Sequence, residues 1–106
     1  MPATPRVSSS FQTFFDEAPD HARAWMSAVE GLSQASALDP KTRSLCYLSV
    51  IAALRLTSGI PFHVQHAKSL GARREEVVSA LLVGLPAAGH GVTAALPEAL
   101  QAYDEA

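Results

Sequence analysis

Apolar residues recur at steps of three and four along almost the whole chain, the period of a helix rather than the two-residue alternation of a strand. Phe11, Phe14, Phe15 and Ala18 share one helical face, and Pro19 fits the first turn of a second helix. There Ala22, Trp25, Val29 and Leu32 form one stripe. Asp39-Pro40 is the clearest punctuation: Asp39 can cap a third helix and Pro40 can take its first position. That helix is expected to run to about Arg55. From Leu45 to Leu56 it is apolar on nearly every side, through Leu45, Cys46, Leu48, Val50, Ile51, Ala52, Ala53, Leu54 and Leu56. An all-round apolar helix is a buried one, and in so short a chain full burial requires a neighbouring subunit.

Thr57-Ser58-Gly59 breaks the run. A fourth helix follows with Pro61 near its start, and Ile60, His63, Ala67 and Leu70 on one face, so the His63 ring is expected to point inward. Gly71 is placed to close it in a left-handed conformation. Glu75 and Glu76 fall in the first turn of a fifth helix, where acids suit the dipole. Its apolar face is Val77, Val78, Leu81, Leu82 and Leu85, with Pro86 as its end. Gly89-His90-Gly91 reads as a flexible turn. The last helix carries Val92, Ala95, Leu96, Ala99 and Tyr103, and Pro97 within it predicts a kink or a late start. The fold expected is all-α, a single domain of about six helices over residues 11–106 after a flexible lead-in of residues 1–10.

Composition sharpens this. The chain has 106 residues, of which 48% are apolar and only 17% charged. Average domains carry about a quarter charged residues, so surplus apolar surface points to a homo-oligomer. The net charge is −2 with no basic run, which leaves no electrostatic footprint for nucleic acid or an anionic membrane. A lone cysteine, Cys46, excludes an intrachain disulfide and suits a reducing compartment. With no secretory signal and no apolar stretch long enough to span a bilayer, a cytoplasmic protein is expected.

Three segments carry a family resemblance: Leu38-Asp-Pro-Lys-Thr-Arg43 before the apolar helix, His63-Val-Gln-His-Ala-Lys-Ser-Leu-Gly-Ala-Arg-Arg-Glu-Glu-Val77, and Leu100-Gln-Ala-Tyr-Asp-Glu105. In this order and spacing, over roughly residues 36–106, they resemble the carboxymuconolactone decarboxylase / alkylhydroperoxidase D superfamily. The resemblance implies a helical fold that assembles as trimers or hexamers. It also implies, for the peroxidase branch, a Glu, a C-x-x-C pair and a His four residues beyond the second Cys. Aligned on His63, the two Cys positions hold Leu56 and Gly59 and the Glu position holds Ser44. That chemistry needs a thiolate nucleophile and a resolving thiol, so His63 has nothing to activate. Cys46 lies ten residues, about 15 Å of helix, before Leu56 and cannot substitute. The decarboxylase branch lacks the C-x-x-C pair and keeps the His. The arginine it needs for a carboxylate is not marked here, and Arg55 is the nearest candidate. Arg73 stands where the family has a capping Thr.

The pocket implied is therefore His63 with Ser44, Leu56, Gly59 and His66, with no cofactor. His63 and His66, three apart, lack a third metal ligand, since His21 and His90 are distant in sequence. His90 reads as a solvent-facing turn residue, Cys46 as an inert small hydrophobe, and Asp16, Glu17 and Asp20 as a solvated acidic face. Three functions stay open: a divergent member that keeps a pocket for a small hydrophobic or carboxylated molecule, a cysteine-independent lactone decarboxylase using His63 as general acid/base, and a non-catalytic structural or interaction subunit.

Overall fold

The computed structural model describes residues 7–106. Each helix begins and ends for a local reason. The Ser8 hydroxyl accepts the Phe11 N–H at 3.2 Å and starts α1 (Ser9–Glu17). Ser9 and Ser10 are thus helical, two residues earlier than expected, while residues 1–6 of the expected flexible lead-in lie outside the described residues. Pro19 occupies the first turn of α2 (Pro19–Ala35). The Asp39 carboxylate accepts the N–H and hydroxyl of Thr42, at 3.1 and 2.6 Å, and starts α3 (Pro40–Ala53). The same bonds, hydroxyl first, hold the Asp39 carboxyl below its ordinary value.

α3 stops because Arg55 adopts φ 59°, left-handed and unfavourable for a residue with a Cβ. A 3-10 turn over Thr57–Gly59 leads into α4 (Ile60–Ser69). Gly71, at φ 96°, ends α4 as the sequence predicts: Ala72 N–H reaches back to Ala67 O and Gly71 N–H to Lys68 O, each at 3.0 Å. α5 (Arg74–Leu82) follows, then a single turn, α6 (Leu85–Ala88), and a 3-10 segment over His90–Ala95 entered through Gly89 at φ 82°. α7 (Leu96–Glu105) has Pro97 in its first turn, so the proline gives the late start. Pro86 does not end α5. That helix stops at Leu82, and Pro86 instead sits in the first turn of α6, where its missing N–H costs nothing. Among the described residues there is no strand.

α3 and α5 run in the same direction. Lys41 pairs with Glu76 at 2.9 Å near their starts, and the Ser49 hydroxyl donates to Ala80 O at 2.6 Å midway. A Cβ on Gly84 would stand 3.8 Å from the Ala53 methyl at their ends. α4 and α7 also share a direction: Lys68 Nζ donates to Tyr103 O and Ala106 O, each at 2.8 Å, with its charge 4.5 Å from the Tyr103 ring centroid. The Tyr103 hydroxyl donates to Ala72 O at 2.8 Å. The core enclosed by α3, α4, α5, α7 and the 3-10 segment combines Leu48, Ile51, Ile60, Val64, Val77, Leu81 and Val92 with Ala52, Ala67, Ala72, Ala95, Ala99 and Ala102. Alanine at so many buried positions lets the helices approach closely.

One expectation about burial changes. α3 is not buried all round: Leu48, Ile51 and Ala52 are buried, but Cys46, Tyr47, Val50 and Leu54 are exposed, as is Leu56 beyond the helix. Its own chain covers it on one side only, chiefly through α4 and α5. The α1–α2 pair forms an arm outside this core. Phe11, Phe14 and Phe15 cluster with centroids 5.1 to 6.3 Å apart. The arm buries only Ala22, which lies outside the main core. Arg43 Nη1, donating to Ser33 O at 3.1 Å, ties the end of α2 to α3.

Candidate functional site

α4 places His63 one turn beyond its start, and Pro61 and Gly59 fix how that turn begins. The imidazole is half-buried, not fully inward. It leans on the Tyr47 ring, centroids 4.4 Å apart and planes inclined by 42°. Phe62 meets it edge-on at 5.2 Å. Gly59 leaves room beneath it, since a Cβ there would lie 3.6 Å from His63 Cδ2. Among the described residues nothing hydrogen-bonds either ring nitrogen. Burial first, and then electrostatic repulsion with the neighbouring His66, push the His63 pKa below its ordinary 6.5. The ring is therefore neutral at pH 7, with one nitrogen able to donate and the other to accept.

Of the residues predicted to share the pocket, Gly59 lies against His63. His66 is exposed and stacks on Phe62 at 6.4 Å with planes 10° apart. Ser44 is buried on α3, but no hydrogen bond links it to His63. Leu56 is exposed just before the 3-10 turn. Arg55 turns to Gly91: a Cβ on Gly91 would lie 2.7 Å from Arg55 Cζ and Nε. His90 is exposed, as expected of a turn residue. Cys46, expected on a buried helix, is exposed because its side of α3 is uncovered.

Sequence reasoning missed Tyr47 and Phe62, the two rings that hold the imidazole. The signals were slight: Phe62 directly precedes His63, and Tyr47 is the only aromatic in the apolar run of α3. Among the described residues no three His, Cys, Asp or Glu side chains converge as a metal site would require. No helix among them is long and apolar enough to cross a membrane. An open groove lies elsewhere, between α1 and α2, lined by Phe15, Arg23, Met26, Val29 and Glu30 among others, none of them from α3 or α4.

The family model of the carboxymuconolactone decarboxylase family matches residues 19–105, which takes in α2 as well as the stretch from residue 36 that carries the motifs. No curated protein and no solved structure matches the chain.

Proposed function

The chain belongs to the carboxymuconolactone decarboxylase family, and from that premise we propose that it is a divergent, homo-oligomeric member that binds a small apolar or carboxylated molecule against His63, without thiol peroxidase chemistry. One observation carries this reading. The His63 ring is partly withdrawn from water, neutral, and without a hydrogen-bond partner among the described residues. A polar group partly withdrawn from water gains from a hydrogen-bond partner, so a ligand that satisfies a ring nitrogen is favoured. Tyr47 and Phe62 supply an apolar flank, and the ring offers one donor and one acceptor to a carbonyl or carboxylic acid. Leu56 and Gly59 hold no thiol, which separates this chemistry from the peroxidase branch. The lone cysteine suits a reducing, cytoplasmic setting.

Titration with a panel of small aromatic and aliphatic carboxylic acids and lactones, followed by the imidazole and tyrosine NMR resonances, tests the reading. A binder should shift His63 and Tyr47 together, and His63→Gln should weaken it at least tenfold while leaving the fold intact. A panel that binds with His63 and Tyr47 unmoved overturns the assignment.

In a second reading His63 acts as general acid/base in a cysteine-independent lactone decarboxylase, its neutral ring able to accept a proton. Loss of lactone turnover in His63→Gln, with binding retained, would distinguish catalysis from binding. Inert behaviour in both assays leaves the structural-subunit reading.

A further inference from the structure

We propose that the molecule held against His63 is flat and conjugated, an aromatic or enoic carboxylic acid stacked on the exposed rings of Phe62 and Tyr47; this rests on the function proposed above and names its ligand class.

Rings gather at this site from both helices, Tyr47 from α3 and Phe62, His63 and His66 from α4. Their planes do not close on one another. Tyr47 is inclined by 42° to His63, and Phe62 by 87°. Phe62 and His66 are nearly parallel, but their centroids are 6.4 Å apart. Carbon surfaces touch at roughly 3.5–4.0 Å, so neither of these two rings lies squarely over the other. Ring surface is therefore left for a ligand: Tyr47 is 48% and Phe62 36% exposed.

A saturated ligand gains from such rings only by the area it buries. A conjugated one gains also from the ring quadrupoles, in offset or edge-on stacking, by about three- to tenfold in affinity. The groups beside the rings set the polar end of the ligand. One nitrogen of the neutral His63 ring donates. The Tyr47 hydroxyl, with no hydrogen bond among the described residues, is free to donate as well. Two donors suit the two oxygens of a carboxylate. Between Pro40 and Ser69 neither helix holds an Asp or Glu that would repel it.

Two pairs of acids test this. Benzoate and cyclohexanecarboxylate carry the same charge on rings of similar size, one flat and one puckered. Sorbate and hexanoate make the same comparison in open chains. The saturated member of each pair is the more apolar, so burial alone would favour it. Each acid is titrated into the full chain at pH 7 and followed by the His63 imidazole resonances. Benzoate should bind about three- to tenfold more tightly than cyclohexanecarboxylate, and sorbate than hexanoate, by the same margin. Phe62→Leu and Tyr47→Leu each keep an apolar side chain and lose a ring, so each should draw both ratios toward one. Both positions are exposed, so circular dichroism should be unchanged. Should a variant unfold, the wild-type ratios still decide. Ratios below threefold with His63 shifted overturn the flat ligand and leave the function proposed above standing. Ratios that survive in both folded variants do the same. If none of the four acids moves His63, that function falls and the ligand class falls with it.

Discussion

The guanidinium of Arg55 lies against the α-carbon of Gly91, so that each constrains the other. Arg55 holds a left-handed backbone at φ 59°, and a Cβ on residue 91 would overlap its side chain. Left-handed backbone costs a side-chain-bearing residue about 1–2 kcal/mol. Arg55→Gly should therefore raise stability by about 1 kcal/mol, read as an increased urea midpoint. Gly91→Ala should displace the guanidinium in wild type and cost less in the Arg55→Gly background. An equal cost in both backgrounds would show that the two residues do not compete for space.

The His63 pKa gives a pH dependence with a definite sign. The folded pKa lies below the unfolded 6.5, so between the two the unfolded chain holds more protons. The contribution is fully present above about pH 6.5 and is lost as pH falls through the folded pKa. Urea midpoints from pH 8 to 5 should decline more steeply below pH 6.5 in wild type than in His63→Gln. Parallel curves for the two proteins would place the titration elsewhere.

At the start of α5, Arg73 occupies the capping position with extended backbone, φ −80° and ψ 158°. A guanidinium has no acceptor, so only half of a reciprocal cap forms: Glu76 accepts the Arg73 N–H at 2.9 Å. Arg73→Ser supplies the missing acceptor and should stabilise by about 1 kcal/mol. The lost contacts to Glu75 and Glu76 offset little, because Arg73 is largely exposed. A lower melting temperature in Arg73→Ser would mean that those contacts outweigh a helix cap.

Hydroperoxide should not be turned over with a dithiol reductant, since the thiol positions hold Leu56 and Gly59. Cys46 is exposed, so it belongs in the control. Turnover that disappears in Cys46→Ser would make that thiol the nucleophile. Turnover that survives the substitution would contradict the assignment of positions 56 and 59.

Helix positions were readable from the sequence because each depends on neighbours three or four residues away: Asp39 and Pro40 open α3, and Gly71 closes α4. What covers a helix was less readable. Periodicity shows that Val50 and Leu54 are apolar but not that their own chain leaves them bare. Pro86 was read as an end and is a beginning, because a proline suits both places and only the tertiary path decides. At the candidate site the nearness of Gly59 to His63 was legible from their spacing, while that of Tyr47 was not, since a contact between residues sixteen apart leaves no local trace.

The alanines that let these helices approach closely also set how the fold responds to temperature. Small side chains bury little apolar area per residue, and the heat capacity of unfolding follows that area. With Ala52, Ala67, Ala72, Ala95, Ala99 and Ala102 in the core, the free-energy curve against temperature should be shallow and broad. Cooling would then erode stability slowly, and cold denaturation would lie far below the freezing point.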